Sequence, residues 1–337
     1  MNLTDKKYSS FALVREMMET TEVARKFDPG VATEFAEKAL TRKGLFLTGE
    51  GSSRIFPAKR AMYDNLRWGA RFPIFTDGST QALEYNLKEL AVFGASNSGQ
   101  TKEIIRLFLK LKEEGHDMLF GLTANHSTKL AGLAGSTHVL NCGTEDAVAA
   151  TKSVIEQGLF YDALLRMMYG RCTCGFDELP GHIATALTLD IDPEMVSAAR
   201  KAEVIYFAGR NNGVVEELTL KTNEITRKRS DFLEGTYALH GIEEIMDKDD
   251  VVFIVEPFAE EEDKYVERLV KGVGMKVFAI SARQTVFPTV RIPDAGNMAA
   301  YVELAAGWNL LVEIGMALGI NLDKPVRARK IGNEFTL

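Results

Sequence analysis

Short apolar runs alternate with longer amphipathic stretches along most of this chain. The clearest instance is LAVFGASNSGQTKEIIRLFLKLKEEG at 90–115. Leu90 to Phe93 is a continuous apolar run of strand length that breaks at Gly94 into the polar loop Ser96-Asn97-Ser98-Gly99-Gln100-Thr101. Ile104, Ile105, Phe108, Leu109 and Leu111 then recur at near-helical spacing, and the stretch stops near Gly115. The pattern predicts strand, loop and helix. Elsewhere it predicts helix over 3–41 with a break at Asp28-Pro29-Gly30, and a strand at 44–48 running into Gly49-Glu50-Gly51-Ser52-Ser53. A helix at 57–68, strands at 72–76, 118–123 and 139–141, and a helix at 151–169 follow. The stretch GRCTCGFDELPG at 170–181 has no apolar period and reads as a junction; after it come a helix at 183–201 and a strand at 203–207.

Strands alternating with helices argue for an α/β protein, a parallel sheet with helices on both faces. Ligands in such sheets bind beyond the C-terminal ends of the strands, where the GEGSS, ASNSG and TAN turns all fall. The second half repeats the first in outline. VIYFAGRNN, VVFIVEPF and VFAISARQ answer LFLTGEGS, AVFGASNS and LFGLTANH, and self-similarity at long period is a fold signal. The second copy has Glu256-Pro257-Phe258 where the first has its serine-rich loop, so the anion site is expected in the first half alone. Two domains are expected, 1–170 and 182–337, joined by a linker at 171–181.

Composition narrows the function. A hydrophobic share of 46% with 26% charged residues is ordinary for a soluble globular chain with a sizeable core. The net charge of −7 supplies no basic footprint, so nucleic acid is not an expected partner. The one basic cluster, Arg227-Lys228-Arg229, reads as a helix end. The most apolar late stretch, 299–320, carries Glu303 and Glu313 and reads as a buried helix rather than a membrane span. The first residues lack the apolar core of a signal peptide. Cys142, Cys172 and Cys174 make an odd count without a C-x-x-C pair, so neither a zinc site nor a disulfide is expected, and reduced cytoplasmic thiols are. No metal or cofactor is called for.

A strand feeding a hydroxyl-rich loop into a helix N-terminus makes an anion site, because the free N–H groups of the first turn and the positive end of the helix dipole face the loop. Ser96, Ser98 and Thr101 add donors. The plainer alternative is that Ser96 or Ser98 only caps the helix.

Six motifs in order carry a resemblance over nearly the whole chain: Gly49-Glu50-Gly51-Ser52-Ser53; Ser96-Asn97-Ser98-Gly99-Gln100-Thr101; Ala150-Thr151-Lys152; the E-x-x-x-K-x-x-E run from Glu217 through Lys221 to Glu224; His240-Gly241, sixteen residues after Glu224; and Asp323-Lys324-Pro325 through Lys330. Together they resemble the double sugar-isomerase (SIS) domain family, similar to the isomerase half of glucosamine-6-phosphate synthase and to stand-alone glucosamine-6-phosphate deaminases and fructosamine-6-phosphate deglycases. The resemblance implies two tandem flavodoxin-like domains and a small-molecule phosphosugar substrate. Ser96, Asn97, Ser98 and Thr101 would hold the phosphate. Ser53 would touch the phosphate or a sugar hydroxyl, and Thr151 with Lys152 the sugar chain. Glu224 would shuttle the C1/C2 proton, His240 would open the ring, and Lys330 would close the site with its charge. It also implies a homodimer in which the loop bearing His240 reaches the neighbour's phosphate loop.

The chemistry asks for such residues. Moving a double bond between C1 and C2 needs one base that takes a proton from one carbon and returns it to the other, and a partly buried carboxylate suits this. On spacing alone Glu217 and Lys221 are an ordinary i,i+4 pair. His240 stands in FLEGTYALHG at 232–241, whose two glycines fit a loop that presents side chains. An imidazole near its ordinary pKa can pass protons at neutral pH. Lys330 lies in the basic stretch Arg327-Ala328-Arg329-Lys330, which reads either as a solvated tail or as a cation for an enediolate. Glu50, Arg54 and Gln100 depart from the family pattern; Arg54 is within reach of a phosphate, or else pairs with Glu50.

The expected function is a phosphosugar isomerase or deaminase working through an enolamine or enediol, for example glucosamine 6-phosphate to fructose 6-phosphate and ammonia. Deglycation of a fructosamine 6-phosphate, plain aldose–ketose isomerisation, and a sensing module without turnover remain open. A glutamine-dependent synthase is not expected, since residue 2 is Asn and the cysteines lie far along the chain.

Overall fold

The structure, a computed structural model, describes residues 1–327 and Phe335. Its N-terminal region forms α1 (Lys6–Ser9), α2 (Ala12–Lys26) and α3 (Thr33–Ala39). The predicted break is a 3-10 turn, Pro29–Ala32, capped by Asp28, whose carboxylate accepts the Gly30 amide at 2.9 Å. Then follow β1 (Gly44–Gly49), α4 (Ile55–Arg67), β2 (Ile74–Gly78), β3 (Leu90–Ala95), α5 (Lys102–Glu113), β4 (Leu119–Thr123), α6 (Lys129–Leu133), β5 (Ser136–Val139) and α7 (Lys152–Tyr169). The second half comprises α8 (Leu179–Thr188), α9 (Pro193–Lys201), β6 (Val204–Gly209), α10 (Val214–Thr226), β7 (Arg229–Glu234), β8 (Val251–Val255), α11 (Glu262–Tyr265), β9 (Lys276–Ser281), β10 (Thr289–Arg291) and α12 (Ala299–Ala317).

The strands make two five-stranded sheets, β2-β1-β3-β4-β5 and β7-β6-β8-β9-β10, and every pairing in both is parallel. The internal repeat is therefore a repeat of topology: β6, β8 and β9 take the places of β1, β3 and β4. Parallel strands need crossovers, so every β-to-α turn of a sheet emerges at the same edge. The order reverses between β1 and β3, where Gly49 stands opposite Ala95, and a crevice opens at such a switch point. The chain divides into two compact units. One is built on Glu22–Glu145 with Ala150–Cys174; the other takes Met1–Thr21 and Asp146–Ala149 and begins its main run at Gly175.

Within the β1–β5 unit, α5 buries Ile104, Ile105, Leu107, Phe108 and Leu111 against Phe46, Val92, Leu119 and Leu130. Phe93 stacks on Phe120 with ring centres 4.5 Å apart. In the β6–β10 unit, Tyr206, Val252, Ile254 and Leu269 belong to one core cluster. There α10 packs on α12 so closely that a Cβ at Gly307 would lie 2.3 Å from a Leu218 methyl. Glu303 is buried within α12, and among the described residues no helix is long and apolar enough to cross a membrane.

Several predicted elements shift or are new. The single helix expected over 183–201 is two, because Asp192 caps a fresh start at Pro193, accepting the Glu194 amide. The loop expected over 232–241 begins as strand β7, an edge strand in which Leu233 alone is buried, so its polar alternation hid it. β10, three residues long at the other edge, was hidden for the same reason. The basic cluster is a helix end as expected: Arg227 closes α10 in the left-handed conformation and Arg229 opens β7. The reduced state expected for all three cysteines does not hold. Cys172 and Cys174 form a disulfide at the exposed end of α7, with Cα atoms 5.2 Å apart, a distance that a C-x-C turn allows. Cys142 is the free, buried thiol.

Gly94 marks how tightly the first layer closes. A Cβ there would stand 2.7 Å from Cε2 of Phe108, whose ring is fully buried. Gly94→Ala is expected to cost roughly 1–3 kcal/mol through overpacking, measured as a lower urea midpoint with unchanged slope.

Candidate functional site

Two clusters of chemistry-bearing side chains stand out, one in each unit. The first is the loop between β3 and α5. Ser96 leaves β3 with its amide on the Leu122 carbonyl. Its hydroxyl lies 2.7 Å from that of Thr101 and 3.5 Å from that of Ser98, and it accepts the Gly99 amide at 3.1 Å. Ser98 accepts the Gln100 amide at 3.2 Å. Thr101 stands at the N-cap of α5 without a side-chain capping bond, so its hydroxyl turns to the loop and not to the helix. Gly99 is required: its φ is +61°, and a Cβ would fall 2.4 Å from Thr128. Three hydroxyls thus converge before the N-terminus of a long helix, an arrangement suited to an anion.

The turn after β1 lies alongside. A Cβ at Gly49 would come within 3.0 Å of the carbonyl oxygens of both Ala95 and Ser53, which sets the Ser53 turn against the end of β3. The Glu50 carboxylate accepts the Ser79 amide at 2.9 Å; burial raises its pKa, against that bond and the nearby Arg54 charge. The tail reaches the same loop. Phe335 donates its amide to the Gln100 carbonyl at 3.0 Å, and the Lys129 ammonium stands 3.7 Å from its ring centre. Lys330 lies outside the described residues.

Asn97 faces a partner that the sequence did not announce. Its Nδ2 donates to Glu145 at 2.9 Å, and the same buried carboxylate accepts the Thr151 amide at 2.7 Å, the Lys152 amide at 2.8 Å and the Ser153 hydroxyl at 2.6 Å. Glu145 is therefore the cap of α7, set six residues ahead of Thr151, and it ties that helix to the loop. Thr151 and Lys152 are both buried, with their amides occupied by this carboxylate. An acidic residue in a Gly-Thr-Glu-Asp turn reads as solvated, and a cap so far upstream leaves no local spacing to detect.

The second cluster lies on α10. Glu217, Lys221 and Glu224 project from one face at i, i+4 and i+7. The Lys221 ammonium lies 3.2 Å from Glu217 and 2.9 Å from Glu224. The Glu217 and Lys221 side chains are fully buried, whereas Glu224 keeps 24% exposure. Burial alone pulls Lys221 toward the neutral form, but Glu224 and Glu217 outweigh it and hold its pKa above the usual lysine value. The i,i+4 pair expected from spacing is thus a buried triad with one carboxylate facing outward. His240 stands on an exposed turn of the same unit, after the 3-10 turn Tyr237–Leu239 and before Gly241 at φ +99°. Asp323 is anchored, its carboxylate accepting the Ala12 and Leu13 amides at 2.8 and 2.9 Å.

Neither a protein-family model nor a curated protein matches the sequence. Solved structures do match over nearly the whole chain. The C-terminal domain of glucosamine-fructose-6-phosphate aminotransferase from Francisella tularensis superposes with a TM-score of 0.78 at 17% identity, covering 95% of this chain and 100% of that one. Glucosamine-6-phosphate deaminase from Thermotoga maritima gives 0.75 at 20% identity, with 96% and 99% covered. Tagatose-6-phosphate ketose/aldose isomerase from Escherichia coli gives 0.78 at 17%, with 96% and 98% covered. The chain has the fold these proteins share, two tandem SIS domains.

Removing the α7 cap tests the first cluster. Glu145→Ala leaves two buried amides, a buried hydroxyl and the Asn97 amide without their acceptor. A loss of about 1–3 kcal/mol in chemical denaturation is expected, with faster amide exchange at Thr151 and Lys152.

Proposed function

We propose that this protein is a phosphosugar isomerase or deaminase that moves a proton between C1 and C2 of a sugar 6-phosphate. The observation that carries the reading is the triad on α10: a partly exposed carboxylate, Glu224, held 2.9 Å from an ammonium that Glu217 balances from behind. A binding module needs an anion loop but has no use for a carboxylate fixed in this way.

In this reading the hydroxyls of Ser96, Ser98 and Thr101 and the first-turn amides of α5 hold the phosphate, with Ser53 and Asn97 beside them, while Thr151 and Lys152, taken up by Glu145, position the start of α7 and do not touch the sugar. His240 passes a proton between the ring oxygen and the anomeric hydroxyl, opening the ring. Glu224 then takes the proton from C2 of an amino sugar and returns it to C1, through an enolamine. Water adds to the resulting ketimine and ammonia leaves, giving the ketose phosphate. Lys221 fixes the Glu224 carboxylate, and Lys330 supplies positive charge to the enediol or enolamine. With a hydroxyl in place of the amine the same proton transfers, through an enediol and without the hydrolysis, interconvert aldose and ketose. A cytoplasmic homodimer is the proposed working form.

The test is turnover on a panel of hexose 6-phosphates and amino-hexose 6-phosphates, scored for ketose and for ammonia. Glu224→Gln is expected to lower kcat on the order of 10²–10⁴-fold while phosphosugar binding persists. Binding of phosphosugars without turnover of any of them would leave the sensing alternative standing in its place.

A further inference from the structure

The turn Arg171-Cys172-Thr173-Cys174 has no place in the proposed proton transfer, yet a line of buried charge comes to the surface there. Arg60 and Asp64 on α4 and Asp162 and Arg166 on α7 have side chains no more than 5% exposed. The Arg60 guanidinium lies 3.1 Å from Asp64 and 2.8 Å from Asp162, and Arg166 lies 3.5 Å from the other Asp162 oxygen. Two guanidiniums thus face two carboxylates between the helices, and such a set holds only while every member keeps its partners. The last member, Arg166, also donates to the Cys172 carbonyl. The residues around that carbonyl reach α4 as well. Tyr169 donates its hydroxyl to Asn65, and the Arg171 guanidinium stands 4.6 Å from the centre of the Trp68 ring.

The bridge from Cys172 to Cys174 fixes the backbone that presents this carbonyl. It contributes little as a staple, because it encloses three residues and a disulfide restrains the unfolded chain more the longer its loop. Both cysteines are exposed, so a thiol in solution reaches them. Cys142 is buried, and burial raises its pKa and leaves it inert. The two bridged sulfurs are not equivalent. The Cys174 amide stands 3.0 Å from Sγ of Cys172, and a donor there stabilises negative charge on that sulfur. Cys172 is therefore the leaving group, and Cys174 the sulfur open to attack.

We propose that Cys172 and Cys174 form a thiol–disulfide exchange site for low-molecular-weight thiols, whose oxidised form locks the end of α7 onto α4. A thiolate attacks Sγ of Cys174, the bond between the two cysteines breaks, and a mixed disulfide forms. Cys172 leaves as a thiolate and takes up a proton. A second thiolate attacks the small molecule's sulfur, and Cys174 is released and protonated in turn. The pair gains two electrons and two protons, while two thiols become one disulfide. The same steps run backwards with that disulfide close the bridge. With the bridge open, the Cys172 carbonyl is no longer held toward Arg166, and the buried charges lose a fixed acceptor at their surface end.

The experiment equilibrates the full chain with reduced and oxidised glutathione in graded ratios. Free thiols are alkylated and located by peptide mass. Complete and reversible passage between bridged and dithiol forms is expected, with glutathione found on Cys174 when exchange is stopped by acid. Reduction is expected to speed amide exchange across 166–172 about tenfold and to lower the urea midpoint. The double variant Cys172→Ser, Cys174→Ser is expected to match the reduced form and to ignore glutathione. A bridge that forms at no ratio, or one that resists excess reduced glutathione in the folded chain, overturns the exchange site. Equal amide exchange and equal midpoints in the two redox states overturn the lock.

Discussion

A lysine ammonium cannot be withdrawn from water unless counter-charge goes with it, and Lys221 is withdrawn completely. Glu217 and Glu224 meet that demand from one turn behind and one turn ahead on the same helix, which is why α10 carries the three at fixed spacing. The helix in turn cannot move freely, since Leu218 fills the space that a side chain at Gly307 of α12 would need. The two ion pairs of Lys221 and the packing of Leu218 on Gly307 together leave Glu224 at the outward end of the triad. The triad is also asymmetric. Its buried end is neutralised, while its exposed end keeps a carboxylate at a groove rich in positive charge.

The two sheets reach their switch points by the same topology and treat them differently. After β3 the chain presents three hydroxyls and a helix N-terminus, donors for an anion from outside. After β8 it supplies an anion of its own. Glu256, at φ 47°, turns its carboxylate to the Ser281 hydroxyl at 3.0 Å and the Ala282 amide at 2.6 Å. The second edge is thus satisfied from within. Duplication provided two equivalent turns, and in the second a single acidic residue in a strained backbone conformation takes up donors at the end of β9.

Much of this was legible in the sequence for a simple physical reason: strands covered on both faces must be apolar throughout, and the turns that follow must be small and polar. β3 with its loop and α5, the repeat of strand-and-turn segments, and the helix end at Arg227 all follow from such patterns. Edge strands escape the rule, and β7 and β10 were missed because one face of each meets water. Glu145 escaped because its partners are assembled by folding: Asn97 lies 48 residues upstream of it. The spacing of Glu217, Lys221 and Glu224 was visible, but not the burial of Glu217 and Lys221, and that burial is what separates an ordinary surface pair from a carboxylate fixed in place. The Cys172–Cys174 bridge depends on how the chain turns after α7, which no count of cysteines reveals.

Arg227 and Glu256 are the non-glycine residues with positive φ among the described residues, and the coincidence has a physical reading. A left-handed conformation costs a residue with a Cβ on the order of 1 kcal/mol or more, and glycine would remove that cost. Glycine would also remove the side chain. In both places the side chain bonds backbone groups elsewhere: Glu256 the Ala282 amide, Arg227 the Asn321 and Lys324 carbonyls. The conformation at Glu256 brings its carboxylate to donors after β9, whereas that at Arg227 ties the segment after α12 to the end of α10. Backbone geometry that a fold tolerates only where a side chain is needed is therefore the most local sign of where each half of this chain stops being scaffold.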